Sequence, residues 1–325
     1  MRAAVVPSVN GKWEVKQWET PKAGPNQVVM KIHACGLCYT DVHLTRGLFG
    51  LPFPHVLGHE PVGEIVEVGP GVTSRKVGDR VGVAWVQKGD GTCEWCLRGK
   101  KELCQNPTST GITLQGSHAE YMLAYADATM PLPAALSYEQ AAPIFCAGYT
   151  VWSGLRLADP KPHERIAVVG IGGLALQYSK ASGFETIAVT KSKDKEKMIR
   201  DMGADEVVES GEKLLAAGGA DVLLATSNSW SATAEAAKGM RPDGRIILMG
   251  VGAEPLNYTP ELMFKRVRLI GSSQNGVEYL YEALDIAAKG KVKVIEEIYK
   301  LDDIAKAYDR VAEGKVRFRA VITMN

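Results

Sequence analysis

Six cysteines are present, Cys35, Cys38, Cys93, Cys96, Cys104 and Cys146, and their neighbours decide what they can do. The run Cys38-Tyr39-Thr40-Asp41-Val42-His43 lies upstream of Gly58-His59-Glu60, and Cys146 follows in Phe145-Cys146-Ala147-Gly148. Two thiolates and one imidazole make a Cys2His set, which leaves zinc a fourth position for water or substrate. Spacing alone does not establish such a set, because its members come from distant segments. On residue type alone Cys146 could be a buried apolar side chain and His43 a surface one. A second cluster, Asp90-x2-Cys93-x2-Cys96-x7-Cys104 with Gly99 inside it, also invites metal. Three disulfides would suit a small secreted domain, but here the cysteines are spread over 325 residues, which favours metal ligation or free thiols. Cys35 has no partner motif and reads as a core thiol.

A different chemistry is written in Gly170-Ile171-Gly172-Gly173-Leu174-Ala175. The segment follows the apolar strand candidate Arg165-Ile166-Ala167-Val168-Val169 and opens a helix, the context in which a GxGxxG/A pattern is informative. The first glycine permits the tight turn, the second admits a pyrophosphate, and the small final residue allows close helix–strand packing. Helix N–H groups and the helix dipole then hold phosphate. Selection of NAD usually places Asp or Glu at the end of the next strand, for the ribose 2′-OH. That place reads Thr190-Lys191-Ser192-Lys193. Hydroxyls and ammoniums there suit a 2′-phosphate, so NADP(H) is favoured over NAD(H). The alternative is that the lysines merely solvate a helix start.

The elements that must position these groups differ between the two parts of the chain. Up to about residue 146, β-branched runs such as Gln27 to Ile32, Val62 to Val68 and Asp79 to Val83 alternate with Gly and Pro. This pattern predicts a twisted, mostly antiparallel β domain. From 147 to 274 short apolar strands (165–169, 186–190, 206–208, 221–225, 245–249) alternate with helices at 174–182 and 193–202. Such alternation predicts a doubly wound, parallel α/β domain covered on both faces. The tail from 275 to 325, with helices at 279–289 and 301–313 and a strand at 320–322, is expected to return to the first domain.

Bulk properties narrow the class further. Lys and Arg number 38 against 37 Asp and Glu, a net charge of +1, which gives no global reason to bind nucleic acid or anionic lipid. Met1 to Val6 lack the apolar core of a secretory signal, and no apolar run nears the ~18 residues of a spanning helix. A cytoplasmic chain with no membrane partner is expected.

Gly58-His59-Glu60 with Gly63, then Gly78-Asp79-Arg80-Val81, is similar to the GHE signature of zinc-containing medium-chain alcohol dehydrogenases. Cys38-x-Thr40-Asp41-x-His43, Trp85, Cys146-Ala147-Gly148-x-Thr150 and Phe318-Arg319-x-Val321 also match, in order, over nearly the whole chain. The pattern most resembles the bacterial propanol-preferring, yeast-like and cinnamyl-type branches.

The resemblance implies a GroES-like catalytic domain (1–146 and 275–325) and a Rossmann domain (147–274). It implies catalytic zinc on Cys38, His59 and Cys146, with Glu60 behind the metal and Asp41 orienting His59. Thr40 would bond the substrate oxygen and His43 would end a proton relay. Thr150 would touch nicotinamide, Trp85 would wall the substrate pocket beside Leu48, Phe49 and Ile112, and Arg319 would pair with pyrophosphate. Relatives place four cysteines where Asp90, Cys93, Cys96 and Cys104 stand, forming a structural zinc lobe, so a Cys3Asp site is implied.

Here Leu174 passes straight into Ala175-Leu176-Gln177, about three residues short of the family pattern. At about 100° per residue, that deletion puts the rest of the helix roughly 60° out of phase, or moves its start. The expected activity is hydride exchange between a nicotinamide dinucleotide and a primary alcohol or aldehyde, run as aldehyde reduction, in a homodimer or homotetramer. Two other readings stay open on sequence: a zinc-independent quinone or enone reductase, and a non-catalytic family member with impaired cofactor binding.

Overall fold

The computed structural model describes residues 1–170 and 172–324; Ile171, Asn325 and the side chain of Lys193 lie outside the described residues. The chain divides into two compact units, Met1–Cys146 with Val294–Asn325, and Ala147–Lys293.

The first unit is built on the long strand Gln27–Leu37, whose alternating burial puts Val28, Met30 and Ile32 into the core. It pairs antiparallel with Pro61–Val68, Tyr121–Tyr125 and the near-terminal strand Arg319–Thr323. Ile65, Val81, Met122 and Ile322 pack against it, each large apolar side chain contributing about 1.5–3 kcal/mol on burial. The strand ends at Leu37, so the next residue, Cys38, emerges at the edge of this core. Register Ala320↔Leu37 places Arg319 beside the same end.

The second unit carries six parallel strands in the spatial order Glu206–Val208, Glu185–Val189, Arg165–Val169, Ala220–Ala225, Met240–Leu248, Arg268–Gly271. Numbered along the chain this is the 3-2-1-4-5-6 order of a doubly wound dinucleotide-binding sheet. Its central strands are buried along nearly their whole length, as a sheet covered on both faces requires.

The expected return to the first unit at about 275 happens later, at Val294. The reason is the helix Val277–Ala288, whose buried stripe of Leu280, Ala283, Leu284 and Ala287 covers the second unit. Trp152 Nε1 donates to Glu282 (2.7 Å) and the Tyr178 hydroxyl to the Ala283 carbonyl (3.0 Å), tying this helix to Ala147–Ala158 and Gly173–Ala181. Among the described residues no helix is long and apolar enough to cross a membrane.

Candidate metal centres and nucleotide turn

Cys38, His59, Glu60 and Cys146 converge, each offering a ligand atom within 4.8 Å of the others. Three separate devices bring them there. Cys38 caps the helix Tyr39–Thr45. His59 and Glu60 follow Gly58, whose φ of +103° suits glycine alone. Cys146 ends the turn Ala142–Phe145, held because the Phe145 ring occupies the space above Gly82, where a first side-chain carbon would lie 2.2 Å from it.

The cluster fits zinc. Tetrahedral zinc with Zn–S bonds of about 2.3 Å separates two sulfurs by about 3.8 Å; Cys38 Sγ and Cys146 Sγ are 3.9 Å apart. Both ring nitrogens of His59 are buried without a hydrogen-bond partner, as is Glu60 Oε2. Buried polar atoms left open in this way are costly unless a ligand takes them.

Charge within the cluster is strongly perturbed. The hydrogen bond between the two sulfurs drives Cys38 well below the ordinary thiol range and Cys146 well above it, so one sulfur carries the charge. Burial raises the Glu60 carboxyl to about 7, against the opposing pull of Arg319. Burial also opposes the ionised form of Asp41, but His59 and His118 outweigh it and hold that carboxyl well below its usual range. Asp41 Oδ1 lies 3.6 Å from His59 Nδ1, and Oδ2 accepts the Cys38 N–H at 2.9 Å.

Arg319, expected to pair with pyrophosphate, has a partner of its own in this unit. It forms a buried ion pair with Glu60, 259 residues away in sequence. His118, fully buried beside Asp41, is a further member of the site. A lone histidine ahead of the strand Tyr121–Tyr125 carries no local pattern that would reveal it.

Thr40 Oγ1 sits 3.6 Å from Cys38 Sγ. His43, three residues further along the same helix, shares its face. The Trp85 ring stands edge-on to His59, with centroids 5.0 Å apart, and Phe49 stands edge-on to Trp85 at 6.3 Å. Phe49 and Leu48 are exposed, while Ile112 packs on the core with Trp85. Cys35 is a core thiol whose burial raises its pKa.

Asp90, Cys93, Cys96 and Cys104 form the second cluster, again within 4.8 Å of one another. Cys93 and Cys104 sulfurs are 3.8 Å apart, matching the tetrahedral sulfur spacing. Backbone N–H groups of Asp90 and Asn106 donate to Cys104 Sγ at 3.2 and 3.4 Å. Asp90 Oδ1 accepts the Thr92 and Cys93 N–H groups, both at 2.9 Å, so its second oxygen is the one suited to a cation. All six cysteines are free thiols.

In the second unit, Gly170 takes φ +99° at the end of Arg165–Val169, and a side chain at Gly172 would meet Val168 and Thr226 at 2.7 and 2.8 Å. The helix opens at once with Gly173, and Leu174 sits buried in its first turn. The helix N-cap, Gly172, supplies no side-chain cap, which leaves first-turn N–H groups for an anion. Register Val169↔Val189 brings Thr190 and exposed Lys191 out beside this turn. Thr150 lies in the helix Ala147–Ala158.

Comparison with known proteins agrees with this geometry. Residues 24–134 match the alcohol dehydrogenase GroES-like domain and residues 170–289 the zinc-binding dehydrogenase domain. The chain is 39% identical over 337 residues to an alcohol dehydrogenase of Geobacillus stearothermophilus, covering 100% of both. The crystal structure of the alcohol dehydrogenase of the archaeon Aeropyrum pernix superimposes with a TM-score of 0.91 at 30% identity, covering 99% of this chain and 100% of that one. A cobalt- and zinc-bound thermostable alcohol dehydrogenase from Pyrobaculum aerophilum gives 0.89 at 28%, covering 99% of each. The chain therefore belongs to the zinc-containing medium-chain alcohol dehydrogenases, a family of alcohol and aldehyde oxidoreductases.

Proposed function

We propose that this protein is a zinc-dependent aldehyde reductase that uses NADPH. The observation that carries the reading is the convergence of two sulfurs at tetrahedral spacing with a buried imidazole whose Nε2 has no hydrogen-bond partner. Cys38, His59 and Cys146 would hold the catalytic ion, with Glu60 behind it. When bound, zinc supplies Lewis-acid polarisation of the substrate oxygen and nicotinamide supplies or accepts hydride.

The chain's own residues do the rest. The Thr40 hydroxyl, against Cys38, orients the substrate oxygen and gives it a proton as hydride reaches the carbonyl carbon, and His43 on the same helix face replaces that proton from solvent; alcohol oxidation runs the same path outward. Trp85 and Phe49 form an apolar wall suited to aliphatic or aromatic side groups. Gly170, Gly172, Gly173 and Leu174 would cradle pyrophosphate, with Thr150 against nicotinamide and Arg319, as the family resemblance implies, a further phosphate partner. Zinc stoichiometry beside aldehyde kinetics with both cofactors tests the reading. Undiminished activity after complete zinc removal would overturn it.

Thr190 and Lys191 support the choice of NADPH. A charged hydrogen bond of about 1.5–3 kcal/mol to a 2′-phosphate corresponds to roughly 10–100-fold in affinity. Lys191→Ala should therefore weaken NADPH by about that factor while leaving NADH affinity unchanged. Equal loss for both cofactors would refute selection by Lys191.

The lobe of Asp90, Cys93, Cys96 and Cys104 would hold a structural zinc less firmly than four thiolates, since carboxylate is the harder ligand. Chelator should strip it in a fast phase, and Asp90→Cys should slow that phase at least about tenfold, or 1.4 kcal/mol. An unchanged rate would remove Asp90 from the ligand set.

Self-association would use the edge strand Arg268–Gly271, which among the described residues pairs on one side only and carries exposed Leu269, with exposed Phe264 shortly before it. A monomer mass by light scattering at micromolar concentration would refute it. Five of the six cysteines fall in the two candidate metal clusters, a use of thiols that favours a cytoplasmic address.

A further inference from the structure

Asp41 is fully buried and so is His118. A buried carboxylate needs donors for about four lone-pair sites. Two come from backbone: Cys38 N–H reaches Oδ2 at 2.9 Å and Gly58 N–H reaches Oδ1 at 3.2 Å. The other two groups at Oδ1 are imidazoles, His59 Nδ1 at 3.6 Å and His118 Nε2 at 3.7 Å.

A histidine buried only as core filler usually bonds its ring nitrogens to a carbonyl or hydroxyl. Neither nitrogen of His118 does so, and the ring instead turns Nε2 to the carboxylate. The fold goes to some length to put it there. His118 N–H bonds the Leu57 carbonyl at 3.0 Å, and Ser117 gives both its N–H (3.0 Å) and its hydroxyl (3.1 Å) to the Gly58 carbonyl. Trp13 packs edge-on to the imidazole at 5.4 Å. Gly58 must be glycine partly for this reason, since a first side-chain carbon there would lie 2.7 Å from His118 N and 2.9 Å from its ring.

We propose that His118 is a positioning residue for the catalytic metal: it shares the Asp41 carboxylate with His59 and so fixes the orientation of that ligand ring. This rests on the reading that Cys38, His59 and Cys146 hold zinc. Partners of this kind, one step removed from the metal, typically govern about 10–100-fold in metal affinity.

The test is the rate at which chelator removes zinc, the catalytic phase being the one that Cys146→Ser abolishes. His118→Phe keeps the aromatic packing and should release that zinc about 10–100-fold faster, while His118→Gln, which keeps a donor, should restore most of the retention. In an Asp41→Asn background His118→Phe should add little, because its effect runs through the carboxylate. Should the Phe variant not fold, His118→Met against His118→Gln carries the same comparison. Zinc release within twofold of wild type, slower release, full additivity with Asp41→Asn, or release from His118→Gln as fast as from the apolar variants would each overturn the role of His118. If the wild type instead shows no zinc phase sensitive to Cys146→Ser, the metal reading itself fails, and the two failures are told apart.

Discussion

Cys146→Ser should abolish alcohol–aldehyde interconversion, lowering kcat by at least about 1,000-fold, or about 4 kcal/mol. A serine hydroxyl does not give up its proton to a zinc ion near neutral pH as a cysteine thiol does, so the ligand set drops from two sulfurs to one and zinc is lost or displaced. The substitution is nearly isosteric. The Phe145 ring against Gly82 still fixes the turn, and Cys146 itself is only partly buried, so the melting temperature should move little. The nucleotide turn at Gly170, Gly172 and Gly173 belongs to the other compact unit, and nicotinamide cofactor affinity by titration should therefore stay within about twofold, well under the 1.4 kcal/mol of a tenfold change. Loss of turnover together with one zinc equivalent, at constant cofactor affinity, is the expected pattern. A variant with its full zinc complement and more than about a tenth of wild-type kcat, less than 1.4 kcal/mol of barrier, would remove Cys146 from the metal site.

What the sequence reveals and hides follows from the range of the interactions. The strand Arg165–Val169, its glycine turn and the helix behind it are local, and they lie where the apolar run and its punctuation put them. The strand Gln27–Leu37 runs past Ile32 because its continuation is secured by partners far away, Pro61–Val68 and Arg319–Thr323. The helix 277–288 carries a legible apolar stripe, but nothing local says which unit that stripe will cover. Cys38 and Cys146 are 108 residues apart; composition marks them as possible ligands, and only the family pattern pairs them. Glu60 with Arg319, and Asp41 with His118, have no local signal at all. Each is a buried polar group whose partner is chosen by tertiary packing, the kind of pairing that periodicity does not encode.

Arg319→Met should cost about 3–5 kcal/mol of stability, the usual consequence of stranding one member of a buried ion pair. The Glu60 side chain is 0% exposed and Arg319 only 15%, so water cannot compensate either group, and the nearby sulfurs of Cys38 and Cys146 raise the demand for the guanidinium. Methionine preserves much of the stem packing, which leaves the lost charge as the main term. Glu60→Gln removes the stranded carboxylate, so the double variant Glu60→Gln/Arg319→Met should be more stable than the sum of the two single losses predicts, with a coupling of at least about 1 kcal/mol. Zinc adds a second test. A dication beside Glu60 supplies part of the missing positive charge, so the Arg319→Met penalty should be larger in chelator-stripped protein than in zinc-loaded protein. Denaturant melts of the four proteins with and without zinc measure both effects. Additive losses that ignore zinc would mean that Arg319 acts through its packing and that the Glu60 carboxylate does not depend on it.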